Sequence, residues 1–127
     1  MHIVRCDIKR NRLNVILGGI IKLDEAEIVK QEIFEAVDKL EPGFDVLNDL
    51  SKFIHGDDSA GSILQDVTKF LSDKKAARII RVVGQSKTGL MQFARYSQAD
   101  DSIEIKYVPT MAEAESILHN SSPDKQE

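Results

Sequence analysis

The apolar positions change period along the chain, and the changes mark out its elements. From His2 to Lys9, Val4, Cys6 and Ile8 alternate with Arg5, Asp7 and Lys9. That period of two puts successive side chains on opposite faces of a strand. Residues 12–19 repeat it with Leu13, Val15 and Leu17, and the apolar Ile16 between them predicts cover on both sides. Arg10–Asn11 is the predicted turn, because Asn tolerates the left-handed conformation, and Gly18–Gly19 ends or bends the second strand. From Leu23 to Leu40 the period becomes helical, with Val29, Ile33, Ala36, Val37 and Leu40 forming a stripe. Asp24 is the expected N-cap, Glu27 completes an Asp-x-x-Glu capping pattern, and Pro42–Gly43 stops the helix.

Phe44–Leu50 then reads as a buried strand and Ser51–Asp58 as a loop. Ile63, Leu64, Val67, Phe70 and Leu71 predict a helix over Ser59–Ser72, capped by Asp58 or Ser59. Ala77–Val83 carries Ile79-Ile80-Arg81-Val82-Val83, nearly continuous in β-branched residues, which marks a strand covered on both faces. Leu90, Phe93 and Ala94 predict a short helix over 87–97, and Ser102–Val108 a last strand with Ile103, Ile105 and Tyr107 on one side. Thr110 and Glu113 form a capping box that opens the final helix, with Met111, Ala114 and Leu118 facing inward. The resulting order, ββαβαβαβα, predicts an α/β fold: a mostly parallel sheet that opens with an antiparallel hairpin and is covered by helices. One domain over residues 1–119 and a frayed polar tail over 120–127 are expected.

Composition narrows the class. The chain has 127 residues, 42% of them hydrophobic and 30% charged, the balance of an ordinary globule. Its net charge of −4 argues against a nucleic-acid binder. The longest apolar stretch, Val15–Ile21, is far too short to span a membrane. A start without the apolar core of a signal peptide, together with the single Cys6, leads us to expect a cytoplasmic protein without disulfides. His2, His55 and His119 lack metal-ligand spacing, so neither a metal nor another cofactor is expected.

Candidate chemistry is sparse. Ser59 is a candidate for a modified or anion-binding hydroxyl at a helix start that also reads as an N-cap, and Asp57 and Asp58 read as acids complementing the dipole of the same helix. Gly84-Gln85-Ser86-Lys87-Thr88-Gly89 follows a buried strand and precedes a helix, where α/β folds bind phosphates, yet its spacing matches neither a phosphate-binding loop nor a nucleophile elbow. Ser86 is the one position at which a hydrolase reading starts. Residues 74–95 carry six basic side chains and no acid, leaving −10 on the remainder. Arg78, Arg81 and Lys87 are therefore candidates for binding an anion. Cys6 reads as a small buried hydrophobe, His55 as a loop residue, and Met91 and Phe93 as core.

Three stretches carry a family resemblance. Phe44-Asp45-Val46-Leu47-Asn48-Asp49-Leu50-Ser51, Asp58-Ser59-Ala60-Gly61 and Val108-Pro109-Thr110-Met111-Ala112-Glu113-Ala114 resemble the strand, helix start and final helix start of STAS domains, more closely the SpoIIAA-like branch of small bacterial proteins. The resemblance implies a non-catalytic anti-sigma-factor antagonist type of domain that works by protein contact. The expected partner is an anti-sigma factor or serine kinase, and the expected surface is the 51–58 segment with Asp58, Ser59, Gly61 and Ser62. The family phosphorylates the residue before that glycine. Here it is Ala60, which has no hydroxyl, so the resemblance implies contact without the usual switch, with Ser59 and Ser62 as the remaining hydroxyls. As in lipid-transfer domains that resemble this branch, a carrier for a lipid or other small apolar or anionic ligand is the alternative. A homodimer through the outer edge of the first hairpin is a further expectation.

Overall fold

The computed structural model describes residues 1–96 and 103–120. Its elements are β1 (His2–Asp7), β2 (Arg12–Ile21), α1 (Leu23–Val37), β3 (Asp45–Gly56), a 3-10 turn (Asp58–Ala60), α2 (Gly61–Asp73), β4 (Arg78–Val83), α3 (Lys87–Tyr96), β5 (Glu104–Val108) and α4 (Met111–Asn120). The five strands lie in sequence order, with β1 antiparallel to β2 and the other pairs parallel. This is the α/β arrangement that the alternation of periods predicts. The expected tail from 121 onward, and the expected ends at 97 and 102, fall outside the described residues.

Alternation along the strands sorts two cores. Leu13, Val15, Val46, Leu50 and Ile79 face α1, α2 and α3, whereas Leu47, Ile80, Val82 and Val108 face α4 through Ala114 and Leu118. Asn48 is buried on the first face and is satisfied by donating its side-chain amide to the Val15 carbonyl at 3.1 Å. β4 has cover on both sides, as its β-branched run requires.

Several boundaries differ from the sequence reading for identifiable reasons. β1 stops at Asp7, whose carboxylate takes the Arg10 N–H at 3.1 Å and closes the turn, and Ile8 is thereby left exposed. Asn11 sits at φ +53°, the left-handed position expected of it. β2 runs on through its glycines to Ile21, with register breaks between Ile16 and Gly18 and between Gly19 and Ile20, and with Gly19 at φ +69°. Because β2 is longer, β3 keeps a partner and extends to Gly56, so the segment expected as a loop over 51–58 is strand as far as Gly56. α1 ends at Val37, short of Leu40, and its side-chain cap comes from elsewhere in the chain. Asp24 lies inside the first turn, while the Asp57 carboxylate accepts the Leu23 N–H at 2.9 Å. Thr110 does cap α4, accepting the Glu113 N–H at 3.1 Å, but Met111 is exposed.

β1 is tied to α1 by a polar contact with a pH dependence. His2 Nδ1 lies 2.7 Å from Glu25 and Nε2 lies 3.4 Å from Glu32. The Glu25 hydrogen bond holds the imidazole pKa above its ordinary value, against the opposing effect of burial, and His2 in turn holds the Glu25 carboxyl below its own. A raised histidine stabilises the fold below the ordinary imidazole pKa of 6.5, and that contribution fades as pH rises through the higher folded value. A depressed glutamate contributes above 4.5 and loses its share as pH falls through the lower folded value. The urea midpoint should therefore decline on the alkaline side of 6.5, and His2→Gln should flatten that decline. An unchanged alkaline limb in the variant would place the pH dependence elsewhere.

Candidate functional site

Each of the parallel strands β2 to β5 runs directly into a helix start at one end of the sheet. β2 leads to α1, β3 to the 3-10 turn and α2, β4 to α3, and β5 to α4. In open α/β sheets this carboxyl end is where ligands and partners meet the fold. It is also where much of the exposed apolar surface lies: Ile20 on β2, Leu23 and Met111 opening α1 and α4, Ile54 (51% exposed) on β3 and Met91 (63% exposed) on α3. Met91 was expected in the core with Phe93; only Phe93 is buried. Clustered exposed side chains of this size mark an interaction surface more often than scattered ones do.

The segment Asp57–Ser62 stands at the centre of this end. Asp57 binds both ways along the chain: its N–H donates to the Ile21 carbonyl at 3.0 Å, its carbonyl accepts from Ala60 at 2.9 Å, and its carboxylate caps α1. This corrects the reading of Asp57 as a companion of the following helix. Asp58 opens the 3-10 turn, and Ser59 sits within it rather than capping α2 through its side chain. The Ser59 hydroxyl is exposed and has no partner among the described residues; the Ser62 hydroxyl, also exposed, donates to the Ser59 carbonyl at 3.4 Å. Ala60 is half-buried and Gly61 buried. Thus Asp58, Ser59, Gly61 and Ser62 come together at one helix start, with Gly61 facing inward.

Beneath the turn lies an apolar cavity of about 90 Å³, bounded by β2, β3, α1, α2 and α3. Small residues make the space: Ala26, Gly56, Ala60 and Gly61 all line it. Its polar neighbours are largely engaged with the backbone. The Gln92 side-chain amide accepts from the Gly56 N–H and donates to the Gly56 carbonyl, both at 3.0 Å.

The basic residues do not form one surface. Arg78 and Arg81 are three residues apart on β4 and so face opposite sides of the sheet, at 5% and 2% exposure, while Lys87 is exposed at the start of α3. Arg78 grips Asp45 through two bonds of 2.8 and 3.2 Å and donates to the Ile117 and Leu118 carbonyls in the last turn of α4. Arg81 has no carboxylate within reach among the described residues. Its guanidinium lies 4.9 Å from the Phe93 ring and 5.6 Å from the Tyr107 ring, donates to the Tyr107 hydroxyl at 2.8 Å, and leaves Nε without a partner among the described residues. Burial lowers its pKa, partly offset by Tyr107.

Ser86 is an N-cap. Its hydroxyl donates to the Ile54 carbonyl at 2.5 Å and accepts from the Gly89 N–H at 3.1 Å, so both hydrogen-bonding roles are structural. The two glycines of Gly84–Gly89 serve close packing rather than a phosphate: a Cβ on Gly84 would overlap the Ser51 carbonyl, and one on Gly89 would meet the Ile54 carbonyl and the Phe53 ring. His55 is half-buried near the end of β3, with Nδ1 3.5 Å from the Gly56 carbonyl, and Cys6 is half-buried on β1. Among the described residues, no group of three or more His, Cys, Asp or Glu side chains is arranged to hold a metal ion, and no helix is long and apolar enough to cross a membrane.

The fold defined by this sheet order and helix placement is the SpoIIAA-like, or STAS, fold. The unphosphorylated anti-sigma factor antagonist SpoIIAA superposes with a TM-score of 0.68 at 13% identity, over 94% of this chain and 98% of its own. An uncharacterized protein of the DUF3478 family with a SpoIIAA-like fold, from Shewanella loihica, gives 0.68 at 18% identity over 93% and 95% of the two chains. A proposed anti-sigma factor antagonist from Thermotoga maritima gives 0.63 at 13% over 94% and 95%. No family model and no curated protein matches the sequence.

Proposed function

We propose that this chain is a non-catalytic STAS-like regulatory domain that docks a protein partner on the carboxyl end of its sheet, around the start of α2. The observation that carries the reading is the coincidence of exposed Ile20, Leu23, Ile54 and Met91 with a surface turn whose Ser59 hydroxyl has no partner among the described residues. The fold likeness to anti-sigma factor antagonists makes an anti-sigma factor or serine kinase the partner class. Ala60 removes the hydroxyl that would be phosphorylated in that family, so the contact works without that switch, and charge at Ser59 tunes it. A non-enzymatic role is supported by Ser86, whose hydroxyl is committed to capping α3.

The test is quantitative capture of a defined protein partner from cells of the source organism. Met91→Lys and Ile54→Lys should each weaken capture about tenfold, the effect of a charge placed in an apolar anchor patch. Ser59→Asp should change it as well. Ile8→Lys, an exposed apolar position at the opposite end of the sheet, serves as the control and should leave capture intact. Equal capture by all four variants would overturn the reading.

A further inference from the structure

We propose that the cavity beneath the Asp58–Ala60 turn is a binding site for a short branched aliphatic molecule whose polar head donates a hydrogen bond, an amine or alcohol rather than a carboxylate. Three observations fix the ligand class. The first is size. A dry apolar cavity of about 150 Å³ accepts benzene, so the 90 Å³ here suits about four carbon atoms, the bulk of an isobutyl group. The second is polarity. Leu17, Ile21, Val29, Ile63, Leu64 and Val67 supply apolar wall, and the Gln92 amide is already bonded twice to Gly56, so among the described lining residues Asp57 is the polar group left for a ligand to meet.

The third is the head group. Asp57 lines the same cavity, and its Oδ2 is held by the Leu23 N–H, whereas Oδ1 has no partner among the described residues. A half-buried carboxylate with one free oxygen accepts a hydrogen bond from a hydroxyl or ammonium and repels an anion, and the neighbouring Asp58 adds to that repulsion. A fatty-acid carboxylate is thereby disfavoured at the mouth. The site needs no partner protein, so its success or failure is separate from that of the docking surface above it.

Titration of the full chain with isobutylamine, isobutanol and isovalerate at neutral pH tests the assignment, since the three share an isobutyl group and differ in the head. Carbon–proton methyl spectra should show saturable shifts at Ile21, Ile63, Leu64 and Val67 with the amine and the alcohol, and at least tenfold weaker binding of isovalerate. Asp57→Asn should lower the affinity for the amine at least threefold and spare the alcohol. Filling the space with Ala60→Leu, or separately with Ala26→Leu, should abolish the shifts; a folded result from either variant suffices. Absence of saturable shifts with all three probes, isovalerate binding as well as the amine, or shifts that persist in the filled variants would each overturn the proposal.

Discussion

Gly89→Ala should destabilise this protein by about 2–3 kcal/mol, lowering its melting temperature by roughly 10 °C. Helix propensity alone argues the other way, because an alanine in the interior of a helix is worth about 1 kcal/mol over glycine. The contacts decide the sign. A Cβ at Gly89 would stand 2.6 Å from the Ile54 carbonyl oxygen and 2.8 and 2.9 Å from two atoms of the Phe53 ring. Neither neighbour moves cheaply. The Ile54 carbonyl accepts the Ser86 hydroxyl, and Phe53 is buried edge-on against Phe93, with ring centroids 5.3 Å apart. Relief requires lifting α3 from β3, which breaks the Ser86 cap and disturbs the Phe93 wall of the cavity. Thermal unfolding of the variant beside the parent chain gives the answer, and an unchanged or raised melting temperature would show that α3 is not seated as described. The same close approach explains why a glycine-bracketed segment between a buried strand and a helix has nothing to do with phosphate here.

Much of the architecture was legible because periodicity reports burial directly. The alternation of Val4 and Cys6, the stripe of Val29, Ile33 and Val37, and the β-branched run of β4 each lie where their spacing puts them. The misses share a cause: they depend on partners distant in sequence. Lys52 and His55 read as loop residues, yet they continue a strand because β2, 34 to 35 residues earlier, is long enough to pair with them. Asp24 has the local signature of a cap, yet the side chain that caps α1 is Asp57, 34 residues away from Leu23. Short-range patterns cannot rank such alternatives, since the stronger one forms only when two strand ends come together.

The candidate site was legible to a similar depth. The likeness of Asp58–Gly61 to a STAS helix start places those residues at a strand-to-helix junction, and in a parallel fold such a junction has only the carboxyl end of the sheet to occupy. The cavity was not legible, since it is a deficit of volume shared among Ala26, Gly56, Ala60 and Gly61 on separate elements. The basic residues misled through counting. A signal was available, however: an arginine inside Ile79-Ile80-Arg81-Val82-Val83, on a strand covered on both faces, has no solvent to reach.

Arg78 and Arg81 should respond very differently to the same substitution. Arg78→Met should cost about 3–5 kcal/mol, the penalty for breaking a buried ion pair from one side. It would leave Asp45, whose side chain is 16% exposed, without its two guanidinium bonds, and it would strip the Ile117 and Leu118 carbonyls of a cationic donor at the C-terminal end of α4. For a domain whose total stability is about 5–15 kcal/mol, that places the variant near unfolding. Arg81→Met removes a charge that has no opposite charge to lose among the described residues. The protein forfeits the Tyr107 hydrogen bond and contacts with two aromatic faces, and is relieved of a buried guanidinium whose Nε has no partner among the described residues. Because these effects oppose one another, the net change should stay within about 1 kcal/mol. Urea unfolding of both variants, with Asp45→Leu/Arg78→Met as the paired replacement, measures the contrast. The double variant should recover part of the loss, because the orphaned carboxylate leaves with its partner. Equal costs at the two arginines would mean that the Asp45 pair is not what holds Arg78 in place, and that burial of the positive charge, rather than its pairing, governs stability on β4.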